Sequence, residues 1–325
     1  MTISAQVPQY SVELAHQVRK VIEAAVERNV ADAVLLSGGL DTSIVASIAS
    51  KQGSLKAYTV ALEDAPSPDN EYARLMAKRL KLNHELHVFD MDELMRTLPE
   101  VIGTLHVFDP MEIRNSVAVY IGMKQVKQDE GSTFLTGDAC DELFAGYSFL
   151  FNLDAKALKS SLEKLWKVMS FSAIPMGRSL GMTAKIPFLD PEVRRLASEI
   201  DPSFLVVEQD GRKWGKWIVR KAFENLLPTE ITWRVKTPIE YGCGTTMLPQ
   251  IFDERIRDSE FHEKQRLIKE VDGVALRDKE QLAYYEIFRK IFGERPSTEG
   301  RTCPQCQYEV PEDATFCRTC GAYPI

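Results

Sequence analysis

Short apolar runs alternate with amphipathic stretches over the first half of the chain, and this alternation limits the fold more than any other feature. Strands are predicted at 33–36, 56–62, 85–89 and 132–136, and helices at 11–28, 42–51, 70–80 and 112–127. Strands that alternate with helices form parallel βαβ units. The sequence therefore predicts an α/β fold with a doubly wound parallel sheet.

The second half has a different pattern. Its strand signal fades after residue 150, and helical periodicity dominates. Helices are predicted at 154–170, 191–200, 213–226 and 279–292. The string GERPSTEGR that follows has the composition of a linker. The predicted units are an N-terminal helix within 1–30, an α/β core at 31–150, a helical part at 151–292, a linker at 293–302 and a cysteine-rich segment at 303–325.

Bulk composition excludes several classes of protein. The 325 residues carry a net charge of −7, which argues against non-specific nucleic-acid binding as the main activity. No apolar run approaches the roughly 20 residues of a membrane span. The first residues have neither a basic region nor a long apolar core, so we expect no signal peptide and a cytoplasmic protein.

A glycine turn, Ser-Gly-Gly-Leu-Asp-Thr-Ser at 37–43, follows the first predicted strand. Ligands of parallel sheets bind beyond the carboxyl ends of strands, and a following helix start offers free N–H groups to a phosphate. The turn contains no lysine, and Asp41 beside it favours a divalent cation as the counter-charge. The alternative is a tight strand–helix turn in which Asp41 or Thr42 caps the helix.

A second acidic turn follows the fourth predicted strand, where Asp138, Asp141 and Glu142 fall within five residues. Such crowded carboxylates repel one another unless a cation or solvent intervenes. Because both turns end parallel strands, we expect Asp41 and Asp141 to reach one Mg²⁺ ion. The alternative is a solvated acidic turn at a helix start.

Four cysteines crowd the end of the chain as two Cys-x-x-Cys pairs ten residues apart. They are Cys303, Cys306, Cys317 and Cys320. This spacing predicts a structural Zn²⁺ site, because four thiolates leave no open coordination position. The segment has three acidic residues and one basic residue, which favours a protein partner over a nucleic acid.

The glycine turn resembles the S-G-G-x-D-S signature of the PP-loop ATP pyrophosphatases, and further strings resemble the synthase domain of the asparagine synthetases. These are GDACDELFAGY at 137–147, SPD at 67–69, DPMEIRNS at 109–116, IPFLD at 186–190, KWIVRKAF at 216–223, and LP at 227–228 with WRVK at 233–236. Order and spacing agree over about residues 10–290. The segment at 303–325 resembles the short zinc ribbons of many prokaryotic proteins.

The resemblance implies a PP-loop fold and an ATP-dependent, AMP-forming amide ligase. A carboxylate, by default that of aspartate, would form an acyl-adenylate that ammonia or an amine attacks. Residues implied in binding the pyrophosphate, its metal or the nucleotide are Ser37, Gly38, Gly39, Asp41, Thr42, Ser43, Gly137 and Asp141. Residues implied in the chemistry are Lys236 on the α-phosphate, Lys216 and Arg114 on phosphate or substrate, and Asp138 on the incoming amine.

The sequence departs from the family pattern in three places. Residue 2 is Thr2 where the glutaminase domain has a cysteine, so the resemblance implies an amine from free ammonia, a separate amidotransferase subunit or another substrate. Asp138 replaces a glutamate and is one methylene shorter. Thr183 and Lys185 replace a glutamate and an arginine. These differences leave the acyl substrate open.

Two other functions fit parts of the pattern. Some PP-loop enzymes that combine this fold with zinc-binding cysteines thiolate tRNA, and a basic groove would serve that reaction. It would be formed by Arg212, Lys213, Lys216, Arg220 and Lys221. A non-catalytic scaffold that binds ATP and presents the zinc ribbon is the third possibility.

Overall fold

A computed structural model describes residues 9–295 and 297–325. The start of the chain at 1–8, where the sequence predicts no signal peptide, and one residue of the predicted linker lie outside the described residues. Within the described ranges, no helix combines the length and the apolar character that crossing a membrane requires.

A five-stranded parallel sheet forms the centre of the molecule, in the order β3-β2-β1-β4-β5. Its strands are β1 (Ala33–Leu35), β2 (Lys56–Leu62), β3 (Asn83–Phe89), β4 (Thr133–Leu135) and β5 (Thr183–Lys185). An antiparallel hairpin, β6 (Val207–Gln209) and β7 (Arg212–Trp214), lies apart from it. The predicted α/β fold is thus confirmed, with the first strand at the centre of the sheet.

Six helices accompany the first four strands. They are α1 (Gln9–Glu27), α2 (Leu40–Ala49), α3 (Asp69–Leu80), α4 (Met91–Leu105), α5 (Pro110–Gln128) and α6 (Cys140–Leu143). The helix α4 continues through Pro99. A new helix, α5, begins at Pro110, where the Asp109 side chain accepts a hydrogen bond from Met111 N–H and the proline occupies the first turn.

The second half is mainly helical, as its periodicity predicts. Its α-helices are α7 (Ala155–Val168), α8 (Ala173–Ser179), α9 (Pro191–Glu199), α10 (Trp217–Phe223), α11 (Thr229–Thr232), α12 (Ile239–Cys243), α13 (Leu248–Arg255), α14 (Asp258–Asp272) and α15 (Lys279–Phe292). Short 3-10 turns occupy Ser148–Leu150, Pro187–Leu189, Pro202–Phe204 and Thr245–Met247.

Two predictions for the second half were wrong. The helix expected at 213–226 begins only at Trp217, because hairpin β6–β7 precedes it and Lys216 has a left-handed φ of 54°. The strand β5 was missed, since its three residues show no apolar alternation. It nevertheless pairs with β4 at the edge of the sheet.

The sheet separates two hydrophobic cores. Val34 belongs to the core shared with α1, α2 and α10, whereas its neighbour Ala33 belongs to the core shared with α4, α5 and α15. Ala57 and Tyr58 divide in the same way on β2. Successive side chains of a strand point to opposite faces, so both faces of this sheet are covered by helices.

The cysteine-rich segment packs against the body of the same chain. All four of its cysteines are buried and belong to the core that contains α5 and α15. Phe108 N–H donates to Thr319 O at 2.7 Å, and Ala275 N–H donates to Gln305 O at 2.7 Å. Gln281 Nε2 donates to Cys320 O at 2.9 Å. The ribbon therefore extends a core of the body rather than standing free on its linker.

The docking predicts a stability cost for Gln281→Ala. The Gln281 side chain is buried, and it also accepts the Arg277 N–H at 2.8 Å, so its loss takes the acceptor from that N–H, while Cys320 O keeps Arg277 Nη2 as a donor at 3.0 Å. Such a loss costs about 1–3 kcal/mol. We expect the free energy of unfolding in urea, followed by circular dichroism, to fall by about that amount or more. Gln250→Ala, at an exposed position of α13, is the control and should change it by less than about 0.5 kcal/mol. Equal effects of the two variants would contradict the docking.

Candidate active site

A cavity of about 270 Å³ opens at the carboxyl ends of β1 and β4. One wall is apolar and is formed by Leu35 and Val60 of the sheet with Ala118, Val119 and Gly122 of α5. The remaining wall is polar and includes most of the predicted site residues. These are Ser37, Gly39, Asp41, Thr42, Gly137, Asp138, Asp141, Lys216 and Lys236.

The glycine turn is shaped by a left-handed residue and by its own hydroxyls. Gly38 has a φ of 67°, and a Cβ atom there would lie 2.3 Å from the carbonyl carbon of Tyr72, so only glycine fits. Ser37 Oγ accepts the Gly39 N–H at 3.2 Å and lies 3.1 Å from Thr42 Oγ1. The turn thus presents hydroxyls and the start of α2 to the cavity.

The acidic turn after β4 packs directly on the glycine turn. A Cβ atom on Gly137 would lie 2.8 Å from Asp41 Cβ and 2.9 Å from Thr42 N, which leaves room only for glycine. Ala139, with a left-handed φ of 73°, precedes the short helix α6 that carries Asp141. This close packing brings the carboxylates of the two turns together, as expected for two turns that both follow the carboxyl ends of parallel strands.

Lys216 joins the two carboxylates. Its Nζ lies 2.8 Å from Asp41 Oδ2 and 2.6 Å from Asp141 Oδ1. The contact with Asp141 Oδ1 is an ion pair without hydrogen-bond geometry, whereas both Asp41 oxygens accept hydrogen bonds. Lys216 is only 2% exposed, so this pairing takes place out of water. A single positive charge therefore bridges the carboxyl ends of β1 and β4.

The surroundings of this ion cluster shift its pKa values in opposite directions. Burial acts to raise the pKa of Asp141, but the ammonium groups of Lys216 and Lys236 outweigh it and hold that pKa below its ordinary value. Burial acts to lower the pKa of Lys216, and the charges of Asp141 and Asp41 outweigh it and raise that pKa. Asp141 and Lys216 are therefore both charged at neutral pH.

Three further cations surround the cluster. Lys236 Nζ lies 2.8 Å from Asp141 Oδ2. Arg234 pairs with Asp69 at 2.5 Å and donates to Ser37 O at 3.3 Å. A separate set of contacts, all to backbone carbonyls, holds Arg220. It donates to Gly215 O, Thr232 O and Arg234 O, at distances of 2.5–3.0 Å.

Asp138 and Glu142 form the opposite, acidic end of the cavity. Asp138 Oδ2 accepts a hydrogen bond from Thr136 Oγ1 at 2.9 Å, and Glu142 Oε1 accepts one from Tyr147 Oη at 2.5 Å. Burial raises the pKa of Asp138 to about 6 and also raises the pKa of Glu142. Neither carboxylate forms an ion pair with any residue that the structure describes.

Three of the predicted site residues do not line the cavity. Gly38 shapes the turn from behind, and the buried Ser43 Oγ has no hydrogen-bond partner within the described part of the chain. Arg114 points away and pairs with Glu240 at 2.5 Å and with Glu280 at 2.8 Å, joining α5 to α12 and α15. Its guanidinium thus meets two carboxylates of the helical half instead of the cavity.

The basic groove of the tRNA alternative does not form on the surface. Lys216 and Arg220 are 2% and 3% exposed. Of the five residues proposed for the groove, only Arg212, Lys213 and Lys221 remain at least partly exposed.

Sequence reasoning did not name several residues of the cavity as site residues. The cavity wall also contains Asp69, Glu142, Tyr147, Arg220 and Arg234. All five lie inside strings that already resembled the family, so those strings carried the signal. What they lacked was the direction in which each side chain points.

The four terminal cysteines form a compact thiol cluster. Cys303 Sγ lies 3.7 Å from Cys320 Sγ, and Cys306 Sγ lies 3.6 Å from Cys317 Sγ. All four sulfur atoms lie within 4.8 Å of one another. Thiolates placed tetrahedrally around zinc at about 2.3 Å would be roughly 3.8 Å apart, so this donor set fits a Zn²⁺ ion.

Comparison with known proteins identifies relatives of both parts of the chain. The sequence matches the family described as "Asparagine synthase" over residues 13–175 and 174–308, and the family described as "zinc-ribbon domain" over residues 302–323. A probable glutamine-hydrolyzing asparagine synthetase of Schizosaccharomyces pombe is 30% identical over 91% of this chain. One from Dictyostelium discoideum is 30% identical over 83%.

The matched regions cover only part of those relatives. The chain spans 59% of the S. pombe protein and 54% of the D. discoideum protein. Among solved structures, NMN synthetase from Francisella tularensis overlaps with a TM-score of 0.38 and 13% identity, covering 90% of this chain and 98% of that one. This overlap is too weak to add to the family match.

Lys216→Met tests the bridge between the carboxylates. The change leaves the buried Asp141 and the partly buried Asp41 without their shared cation, which costs about 3–5 kcal/mol. We expect that loss in the free energy of unfolding at pH 7 in magnesium-free buffer. Lys213→Met, at an exposed position of β7, is the control and should cost less than about 1 kcal/mol.

The loss of stability in Lys216→Met is expected to depend on pH. A carboxyl whose folded pKa is depressed stabilises the protein above its unfolded pKa, and this stability is lost as pH falls through the folded value. Lys216→Met removes a cause of the depressed pKa of Asp141. The stability gap between wild type and variant should therefore narrow as pH falls from 7 toward and below about 4. A gap independent of pH would contradict the electrostatic role of Lys216.

Proposed function

The chain belongs to the asparagine synthase family, and from this premise we propose that it is an ATP-dependent, AMP-forming amide ligase. It would activate a small carboxylate as an acyl-adenylate, which ammonia or an amine then attacks. Aspartate is the default carboxylate. One observation carries the proposal. Beside the glycine turn, Lys216 contacts both Asp41 and Asp141, and Lys236 contacts Asp141.

The two walls of the cavity suit the two parts of ATP. The apolar wall between the sheet and α5 would accept the adenine ring, and the glycine turn would accept the phosphates through Ser37, Gly39 and Thr42. The start of α2 adds the positive end of a helix dipole on the same side. Gly38 would act by shaping the turn.

Asp41 and Asp141 are the residues that would hold Mg²⁺. Their hard carboxylate oxygens are the donors this ion prefers, and one cation already bridges them in the form of the Lys216 ammonium. The bound ion would supply charge neutralisation at the departing pyrophosphate. Mg²⁺ usually takes only one or two protein carboxylates and completes its shell with phosphates and water, so a pair suffices.

The lysines would stabilise the charge that develops in the first step. A carboxylate oxygen attacks the α-phosphorus, the bond from that phosphorus to the bridging oxygen breaks, and pyrophosphate leaves with the electron pair. Lys236, which is 33% exposed, is the more accessible of the two lysines and would contact the α-phosphate. The buried Lys216 would hold the two aspartates in place.

The second step forms the amide. The nitrogen of ammonia or an amine attacks the acyl carbon, AMP leaves, and a base takes the proton that the nitrogen loses. Asp138 is placed for this role at the acidic end of the cavity, where burial raises its pKa to about 6. The nitrogen would come from solution, another substrate or a separate amidotransferase subunit.

The four cysteines of the ribbon would hold a structural Zn²⁺ ion. The outer face of the ribbon would contact a protein partner. We propose the cytoplasm as the compartment. All six cysteines of the chain are unpaired thiols, which suits a reducing environment.

The alternatives have less support. A tRNA-thiolating enzyme would need a basic surface for the nucleic acid and a reactive cysteine near the nucleotide. Cys243 lines the cavity and Cys140 does not, but both are buried, and burial raises the pKa of both thiols, that of Cys243 to about 11. A pure scaffold would not need two lysines paired with the acid cluster.

The experiment that tests the proposal measures pyrophosphate and AMP. The protein is incubated with Mg-ATP, ammonium and one carboxylate at a time, and in a separate arm with bulk tRNA. We expect pyrophosphate and AMP in equal amounts with at least one carboxylate and none with tRNA. Release of pyrophosphate with tRNA and with no carboxylate would overturn the proposed ligase function.

Variants test the residues assigned to the first step. Lys236→Ala should reduce pyrophosphate release at least 100-fold, because it removes the cation assigned to the α-phosphate. Asp141→Asn should abolish release while the far-ultraviolet circular dichroism spectrum stays unchanged. Lys290→Ala, at an exposed position of α15, is the control and should behave as wild type. Full activity of Asp141→Asn would remove this residue from the metal site.

A further inference from the structure

Both aspartates that would hold the metal already contact lysine ammonium groups. Asp41 accepts hydrogen bonds from Lys216 Nζ through Oδ1 at 3.0 Å and through Oδ2 at 2.8 Å. Asp141 Oδ1 lies 2.6 Å from Lys216 Nζ, and Asp141 Oδ2 lies 2.8 Å from Lys236 Nζ. Every carboxylate oxygen of the pair thus contacts a positive charge. A metal ion can reach Asp141 only where one of the ammonium groups withdraws.

Lys216 is held too firmly to be the group that withdraws. It is 2% exposed, and its Nζ contacts both aspartates. Its backbone N–H donates to Phe144 O at 3.0 Å, and its left-handed φ of 54° directs the side chain toward the acids. Taking such a buried cation away from two carboxylates is costly. Lys216 therefore stays in place when a ligand binds.

Lys236 extends from a segment whose backbone is fixed on both sides. The chain between α11 and α12 has no regular secondary structure. Arg220 Nη1 donates to Arg234 O at 3.0 Å before Lys236, and the Glu240 N–H donates to Asn115 Oδ1 at 3.1 Å after it. The Lys236 side chain is 33% exposed and has a flexible four-carbon stem. Its ammonium group can therefore change partners while the backbone keeps its position.

Charge decides what can replace Lys236 at Asp141. The two aspartates and the two lysines of this cluster cancel one another's charge. A free Mg²⁺ ion would add positive charge beside both ammonium groups and bring no anion. Mg-ATP brings phosphates, which accept an ammonium group readily. The cluster therefore favours the complex of metal and nucleotide over the free metal ion.

We propose that Lys236 is an exchangeable counter-ion that keeps free divalent cations off Asp141 and admits the metal only together with the nucleotide. In the free protein its ammonium group occupies Asp141 Oδ2. When Mg-ATP binds, the ammonium group moves to a phosphate oxygen, and the vacated carboxylate oxygen takes the metal. The inference rests on the ligase function proposed above, and it adds how that site selects its metal.

The first measurement is the affinity of the full, zinc-loaded chain for Mn²⁺ without nucleotide. Mn²⁺ accepts the same oxygen ligands as Mg²⁺, and the electron paramagnetic resonance signal reports how much of it is free. We expect Lys236→Met to bind Mn²⁺ at least tenfold more tightly than wild type, and Lys236→Arg, which keeps the charge, to bind it as weakly as wild type. Equal affinities of Lys236→Met and wild type would overturn the proposal, and so would a Lys236→Arg variant that matches Lys236→Met.

Three further variants supply the control and the location. Lys221→Met removes a lysine of α10 that is 25% exposed and pairs with Glu224 at 2.6 Å, and it should leave the Mn²⁺ affinity unchanged. The double variant Lys236→Met with Asp141→Asn should lose the gained affinity. A gain that persists there, or that Lys221→Met shows equally, would overturn the proposal. Lys236→Gln keeps a polar group at this position and replaces Lys236→Met in every arm if the methionine variant does not fold.

The second measurement separates the exchange from a structural role of Lys236. The α,β-methylene analogue of ATP, which cannot release pyrophosphate, is titrated calorimetrically in excess Mg²⁺. We expect Lys236→Met to bind this analogue at least tenfold more weakly than wild type, because the phosphates lose an ammonium partner. An exchanged counter-ion thus shifts the metal and nucleotide affinities in opposite directions. Weaker binding of both ligands, or unchanged binding of the analogue, would overturn the proposal.

Pyrophosphate release distinguishes this inference from the function on which it rests. Release with a carboxylate, together with equal Mn²⁺ affinities of wild type and Lys236→Met, supports the ligase and overturns the exchange. A gain of Mn²⁺ affinity that requires Asp141, without release of pyrophosphate with any carboxylate, supports the exchange and overturns the ligase.

Discussion

The contact of one buried lysine with two aspartates is the interaction on which the arrangement of the site depends. Lys216 joins the turn after β1, the turn after β4 and the start of α10. Its left-handed backbone and the hydrogen bond from its N–H to Phe144 O at 3.0 Å fix where the side chain begins. The sheet thus supplies the acids, and the helical half supplies the cation that allows them to lie side by side.

Much of this arrangement was predictable from the sequence. Short apolar runs predict the first four strands, and the rule that parallel strands share one carboxyl edge predicts that Asp41 lies near Asp141. The thiol cluster followed from cysteine spacing alone. These predictions rest on local residue patterns or on topology rules, and both need only short segments of the sequence.

The parts that were not predictable depend on contacts between distant stretches. Arg114 lies in a string that resembles the family, yet it pairs with Glu240 and Glu280, and no local pattern indicates which way its side chain turns. β5 has only three residues and is a strand because β4 offers it an edge. In the same way, only the fold reveals that Lys216 contacts two aspartates, while Asp138 and Glu142 form no ion pair with a described residue.

The ribbon and the cavity share a helix, which ties the metal-binding segment to the site. The ribbon packs on the first turn of α5, where a Cβ atom on Gly321 would lie 2.1 Å from Asp109 Oδ1. The middle of the same helix forms the apolar wall of the cavity. A short cysteine-rich segment folds around its metal, so the contact of the ribbon with the start of α5 would depend on that metal. The ribbon and the apolar wall of the cavity therefore rest on one continuous helix.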